Sequence, residues 1–386
     1  MEPGGNVPQL GHRPSFWHRP VWWLNIVAAA LLLLTYLAPH IDPKLAWILA
    51  LLAMAYPFQI LVHGIFLVWW LIFRRRRMLL SLVSIAIGWH YFGHHFKFSG
   101  KEEASAVEMG TQLKLMSFNV RLFDLYNWSG NKVTRDRIFE VFEREDPDIL
   151  CLQEFFHSPD PRFFRTREPL LNDGRFVAVH DRYTHKARFD QHFGIATFSA
   201  YPIVDTGSIS FTENPNNQCI WSDIFVRGDT IRVYNAHLAS YHFGDAEYKF
   251  LQGLDTQTDG DSIRSGGKRI LKLLKRGFQL RSAEIETIAD HIAHSPHPVI
   301  YCGDMNDVPM SYSYGRLQEY LDDAFVVSGK GHGGTYIGKL PPLRIDHIMH
   351  SPSIESWDFQ TLKEELSDHR ALTCSLAVRD RSAEVR

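Results

Sequence analysis

The chain has 386 residues, more than one domain ordinarily needs, and its net charge of −2 hides an uneven distribution. Residues 1–100 hold eight Lys and Arg but only two acids, Glu2 and Asp42, so 41 of the 43 Asp and Glu fall after position 100. Such an acidic soluble part argues against tight, sequence-blind binding to nucleic acid, which rests on a basic surface. The four cysteines show no CxxC or CxxxC spacing that would suggest zinc, and Cys151, Cys302 and Cys374 sit in apolar runs, as buried free thiols do.

A tail over residues 1–20 leads into a region of about three transmembrane helices over 21–96. Val21 to Ala38 is apolar and of spanning length. Leu45 to Phe73 is longer and must tilt, or bend at Pro57. Met78 to Phe96 is a third span, with Trp89, Tyr91 and Phe92 where an aromatic belt would sit. A signal peptide would explain the first stretch alone, but the later spans would still anchor the protein. Arg74 to Arg77 form a short basic loop of the kind that stays cytoplasmic. With Arg13 and Arg19 also inside, three spans leave the rest of the chain outside the cytoplasm of a plasma or inner membrane; two spans would reverse this. His90 and His94 have the i,i+4 spacing of a helical metal pair, but without an acidic partner they read as a polar cap. The spans carry no Asp or Glu, and His63 is the one ionisable group deep within them, which argues against a transporter.

Residues 97–111 read as a linker, followed by a soluble domain over 112–380. Short apolar runs at 113–118, 148–152, 176–179, 194–198, 220–226, 231–235, 298–302, 345–349 and 371–377 predict strands. Amphipathic stretches at 133–145, 268–294 and 313–321 predict helices, the first stopped by Asp146-Pro147. Asp255 to Gly267 reads as a polar loop. Lys268, Arg269, Lys272, Lys275 and Arg276 then recur at helical spacing, as a solvated face or as a strip for an anionic surface. Many strands with a few helices, in no strict alternation, imply two sheets with helices outside.

Six motifs end apolar runs in this domain: Ser-Phe-Asn at 117–119, Leu-Gln-Glu at 152–154, Ala-His-Leu at 236–238, Gly-Asp-Met-Asn at 303–306, Ile-Asp-His at 345–347 and Ser-Asp-His at 367–369. Singly each is a common turn or strand end. Together they supply carboxylates for a hard cation, amides for metal or phosphate, and imidazoles for proton transfer, which is the chemistry of metal-assisted phosphate ester cleavage.

In that order the motifs resemble the endonuclease/exonuclease/phosphatase superfamily, the fold shared by deoxyribonuclease I, neutral sphingomyelinases and inositol-phosphate 5-phosphatases. The resemblance covers residues 113–377 and is most specific at Pro147 to Glu154, Gly303 to Pro309 and Ser367 to His369. It implies an α/β fold, a four-layer sandwich of the deoxyribonuclease I type, preceded here by an all-α transmembrane segment. Carried over to this sequence, it makes Glu154 the principal Mg²⁺ (or Mn²⁺) ligand, completed or supported by Asn119 and Asp368. Asp304 and Asn306 would position the attacking water and the phosphate. His369, oriented by Asp346, would meet the scissile phosphate, and His237 would contact a phosphoryl oxygen or protonate the leaving oxygen. Asp190 is a further candidate to orient His237. Tyr312, with Tyr314 and Tyr336, is a candidate to stack on substrate.

The function so implied is a membrane-anchored phosphodiesterase, either a nuclease or a phospholipid or sphingolipid phosphodiesterase. The alternative is a sugar- or inositol-phosphate phosphatase, and the reading of another class is an inactive scaffold. The expected partners are the lipid bilayer, through the N-terminal helices, and the phosphate-ester substrate. The apurinic-site endonuclease branch usually carries Tyr-x-Pro-Asn where this chain has Asn-Ala-His-Leu at 235–238, which disfavours abasic-site repair. The stretch between His237 and Asp304 is long for a compact nuclease, and is a place for a lid or a membrane-facing surface.

Overall fold

The computed structural model describes residues 18–103, 109–215, 217–241, 243–244, 247–248, 250, 260–339 and 341–379. Five helices come first: α1 (His18–Thr35), α2 (Pro43–Met54), α3 (Tyr56–Phe73), α4 (Arg75–Ile87) and α5 (Trp89–His95). Helix α1 with the turn that follows it, and α3, are each long and apolar enough to cross a membrane. The long stretch ending at Phe73 is therefore not one helix bent at Pro57. Helix α2 stops at Met54, and Pro57 sits in the first turn of α3, where its missing N–H is no loss. Asp42 caps α2 by accepting from the Lys44 N–H at 2.8 Å.

Three polar side chains buried among these apolar helices, Asn25, His63 and Ser81, pair with one another. The Ser81 hydroxyl donates to Asn25 Oδ1 at 2.9 Å and lies 3.0 Å from His63 Nδ1, tying α1, α3 and α4 together. At one end of the bundle Arg77 donates to the His18 carbonyl at 3.0 Å and lies over Trp22 and Trp70. At the other end Tyr36, Tyr56 and Tyr91 cluster. The flanks expose Trp23, Leu24, Leu61, Ile65, Val68 and Ile72.

The rest of the chain opens with β1 (Met109–Asn119), α6 (Thr134–Glu145), β2 (Ile149–His157), α7 (Arg167–Asn172), β3 (Ala178–Ala187) and β4 (Gln191–Ser199). It continues with β5 (Ile203–Ser210), β6 (Gln218–Val226), β7 (Asp229–His237), α8 (Gly260–Ala293) and β8 (Val299–Asp304). The last elements are α9 (Tyr312–Gln318), β9 (Asp322–Asp323), α10 (Ala324–Ser328), β10 (Asp346–His350), β11 (Ile354–Thr361) and β12 (Leu372–Arg379). Two six-stranded sheets result, in the orders β11-β12-β1-β2-β4-β3 and β5-β6-β7-β8-β10-β9.

Strand period 2 explains why the central strands are apolar throughout. Leu113 and Leu115 of β1 enter the core between the sheets with Val233, Ile300 and Cys302, whereas Met116 and Phe118 point outward to Ile138, Val141 and Phe142 of α6. In the second sheet Ile300 and Cys302 face inward, while Val299 and Tyr301 meet Ile285, Ile288 and Ile292 of α8. Helix, sheet, sheet and helix are thus the layers. Helix α8 begins at Gly260, so part of the expected polar loop is helical; residues 255–259 lie outside the described residues.

The tyrosine end of the bundle docks on this sandwich. Leu32, Tyr36, Ala53, Tyr56 and Tyr91 share one apolar cluster with Val308, Met310 and Ile345. Arg344 donates to the His94 carbonyl at 2.8 Å, and Ser282 donates to Asp42 at 2.6 Å. The expected linker is pinned at its start: Lys97 N–H donates to the Gly331 carbonyl, and Lys101 pairs with Glu355 at 2.5 Å.

Candidate active site

Strand register assembles the site. Strands β7 and β8 run parallel with His237 opposite Asp304, and β10 runs antiparallel to β8 with Asp346 opposite Asp304. Three motifs distant in sequence thus form one row across three adjacent strand ends. In the other sheet the parallel pair β1 and β2 sets Asn119 opposite Gln153, beside Glu154. The two sheets are held in mutual position by buried amides. Gln153 donates to Asn235 Oδ1 at 2.7 Å, and Asn235 donates to the Ala196 carbonyl at 3.0 Å. Leaving such a buried partner unpaired costs about 1–3 kcal/mol, so the amides hold Glu154 in register with His237.

Glu154 sits where the pairing of β2 with β4 slips between Leu152 and Phe155, and its φ is 47°. The bulge and the left-handed backbone turn its carboxylate out of the alternation and into the cavity. Asn119 Nδ2 donates to Asp304 Oδ2 at 3.0 Å and reaches Glu154 Oε1 at 3.4 Å, while Asn119 Oδ1 accepts from the Arg121 N–H. In this orientation Asn119 bridges the two acids with its N–H groups and supports the site without offering it an oxygen.

Asp304 is the hub. Its Oδ2 lies 3.6 Å from His237 Nε2 and 3.7 Å from His369 Nε2, and its Oδ1 accepts from the Asn306 N–H at 2.8 Å. The preceding Gly303 has φ 141°, and a side chain there would strike the Ala236 carbonyl of the neighbouring strand. Burial pushes the Asp304 carboxyl above its ordinary pKa, with Asp346 adding to the effect against the two imidazoles. Asn306, at φ 53°, anchors its amide on the Leu238 carbonyl at 3.0 Å.

His369 Nδ1 is 2.8 Å from Asp346 Oδ2. Burial disfavours its cation, yet Asp346 and Asp304 outweigh burial and raise its pKa well above the usual imidazole value. The Thr335 hydroxyl accepts from the N–H groups of Ile345 and Asp346, and Tyr336 meets the His369 ring edge-on. Ser367 donates to the Asn119 carbonyl and accepts from the His369 N–H, fastening the last motif to the first. Asp368 lies 3.5 Å from Arg121 Nε, at the cavity edge.

Glu154, His237, Asp304, Asn306, Asp368 and His369 line a single cavity of about 320 Å³. Two expectations do not hold. Tyr312 is hydrogen-bonded to Glu286 of α8 and is not among the cavity residues, because α9 turns it onto that helix; Tyr336 lines the cavity instead, and Tyr314 is buried on Asp323. Asp190 lies at the β3–β4 turn beside Lys186 and His192, so the acid next to His237 is Asp304. Sequence reasoning passed over Thr335, and Glu284, which accepts from Ala239 N–H and Asn217; neither stands in a motif. It also missed Met54, Tyr241 and Phe243 on the apolar cavity wall.

The donors suit a hard divalent cation: carboxylate oxygens dominate, and no cysteine lines the cavity. Ligand atoms of Asp304, Asp346 and His369 fall within 4.8 Å of one another, and Glu154 adds a further carboxylate aimed at the same space. Carboxylates crowded at this density repel one another, which a cation would relieve.

A sandwich of two mixed sheets with acids, amides and imidazoles gathered at one rim defines a phosphoester hydrolase of the deoxyribonuclease I architecture. The sequence model of the endonuclease/exonuclease/phosphatase family matches residues 116–369, and the chain belongs to that family, whose members are phosphoester hydrolases. Residues 18–95 match a second model, a domain of unknown function. No curated protein matches the sequence.

Similar solved structures include the human Nocturnin catalytic domain with bound sulfate (18% identity, TM-score 0.49, 71% of this chain and 96% of that one). Others are an endonuclease/exonuclease/phosphatase from Beutenbergia cavernae (17%, 0.48, 69% and 72%) and D. rerio TDP2 with a single-strand DNA product (16%, 0.48, 69% and 99%). Likenesses this distant carry no argument about substrate.

Proposed function

We propose that the protein is a membrane-anchored, divalent-metal-dependent phosphoesterase that hydrolyses a phosphodiester, of nucleic acid or of a phospholipid or sphingolipid headgroup. The observation that carries the proposal is the row His237, Asp304 and Asp346 set by register, of which His237 and Asp304 share one cavity with Glu154 and His369 while Asp346 holds His369. Glu154 would hold Mg²⁺ or Mn²⁺, with Asn119 and Asp368 supporting it. A cation bound there would supply neutralisation of charge on the phosphoryl oxygens.

The protein's own groups divide the remaining work. Asp304 orients the attacking water and accepts its proton, while Asn306 meets a phosphoryl oxygen. His369, held at Nδ1 by Asp346, presents Nε2–H to the phosphate. His237 donates a proton to the leaving oxygen.

The anchor is formed by α1, α3 and the α4–α5 pair, with the Arg74 to Arg77 loop cytoplasmic and the catalytic domain on the other side. This is supported by the opposite placement of Arg77 and the docked tyrosine end. The full chain in detergent should hydrolyse bis(p-nitrophenyl) phosphate with Mg²⁺ and stop when a chelator is added. Faster turnover of p-nitrophenyl phosphate would favour a phosphatase. Failure on both, without Mg²⁺ binding, would leave a scaffold.

A further inference from the structure

Among the described residues, the N-terminal helices contribute one side chain to the cavity wall. Met54, the last residue of α2, lines the same space as Glu154 and His369, and the membrane-length helix α3 starts at Tyr56. Met54 packs with Tyr241 and Phe243, whose rings stack 5.6 Å apart, and the Tyr241 hydroxyl lies 3.7 Å from Met54 Sδ. Val308 and Ile345 line the cavity as well, and they belong to the cluster that buries the ends of α1 and α3. The polar catalytic groups therefore face an apolar wall continuous with the bundle.

Helix α2 has two apolar faces. Ala50 packs with Ile270, Leu274 and Phe278 of α8, while Leu45 is 85% exposed and Ile48 56% exposed. Phe58 and Leu61 near the start of α3 are exposed as well. Exposed apolar side chains on a short helix next to a membrane-length one are what an interfacial helix presents to a bilayer. The Asp42–Ser282 and Arg344–His94 hydrogen bonds fix this surface relative to the cavity. Among the described residues that line the cavity none is Lys or Arg; the cations beside it stand at its edge, Arg121 next to Asp368 and Lys339 over the Tyr248 ring.

We infer that the substrate is a bilayer-resident amphiphile: its phosphodiester sits among Glu154, His237, Asp304 and His369 while its apolar part lies against Met54, Phe243 and Val308. This rests on the phosphodiesterase reading above and selects lipid over nucleic acid within it. The step is hydrolysis. Water oxygen bonds to phosphorus, the P–O bond to the leaving group breaks with its electron pair, the water proton passes to Asp304, and the leaving oxygen takes one from His237.

The test uses the full chain reconstituted in vesicles and two diesters with the same leaving group, p-nitrophenyl methyl phosphate and p-nitrophenyl hexadecyl phosphate. The hexadecyl ester should show the higher kcat/KM. Met54→Ser combined with Phe243→Ser should cut that preference about tenfold through KM, the order expected for losing one or two apolar side-chain contacts, and Met54→Leu should keep it. Because the variants keep the anchor, mere co-residence in the bilayer would leave their preference unchanged, and that result overturns the inference. Equal rates on both esters, or faster cleavage of single-stranded DNA than of either, overturns it while leaving the phosphodiesterase reading intact. No metal-dependent hydrolysis of any probe removes both.

Discussion

His369 Nδ1 lies 2.8 Å from Asp346 Oδ2, which leaves Nε2 3.7 Å from Asp304. An ionised carboxylate can only accept, so Nδ1 carries a proton and the ring's orientation is set by Asp346. Replacing His369 with Ala should lower metal-dependent hydrolysis by a factor of about 10²–10⁴ with the fold retained, as judged by circular dichroism. Asp346→Asn should lose less, because the amide oxygen still accepts from Nδ1–H. Near-normal rates in His369→Ala would remove it from the reaction.

Glu154 owes its direction to a bulge and a φ of 47°. Glu154→Gln keeps the volume and the backbone but removes the charge. Calorimetric titration of the full chain with Mg²⁺ should show binding in the wild type and a loss of at least about tenfold in affinity in the variant, the size of effect expected for one charged ligand. Equal titration curves would place the cation elsewhere.

Cys151, Cys219, Cys302 and Cys374 are all free and buried, so the native chain offers no accessible thiol among them. Lys132 is exposed in the loop before α6. A Lys132→Cys variant should react with a membrane-impermeant maleimide in intact cells if the catalytic domain is outside. Labelling only after lysis would reverse the orientation.

Acid should destabilise the fold in two stages through groups beneath the bundle. Burial, assisted by Arg344, lowers the His347 pKa to about 4. The unfolded chain therefore takes a proton near the ordinary value of 6.5 that the folded chain refuses, and stability falls as pH drops from there toward 4. Burial alone would raise the Asp323 pKa, but the Arg344 guanidinium 2.7 Å away holds it down to about 2. Its contribution, about 2 kcal/mol, is present above the ordinary carboxylate value and disappears as pH falls through that range to about 2. Thermal unfolding followed against pH should show both losses in the wild type. The second should be absent in Asp323→Asn, and an unchanged acid limb there would refute the assignment.

Most central strands were legible because both of their faces are buried, leaving apolar runs such as Ile149 to Leu152 and Val299 to Cys302. Strands β5, β9 and β11 were not anticipated, and all three are sheet edges. Asp205, Thr206, Gly207 and Ser208 in β5, and Asp358 with φ 49° in β11, break the pattern that burial would impose. Tyr312 was misassigned for a related reason: an aromatic beside a catalytic motif has the same letter whether its ring faces substrate or Glu286.

What the sequence determined by itself was the chemistry: six short motifs at strand ends, three apolar stretches, and a charge asymmetry between the two parts. These are local properties, written in spacing and residue type. Which groups meet was decided by tertiary structure, because strand pairing joins positions far apart in the chain: Asp304 reaches His237 and Asp346 only through β8, and Asn119 reaches Asp304 only across the two sheets. Docking likewise brought Met54, from a helix whose sequence reads only as apolar, to the wall of the cavity that holds Glu154 and His369.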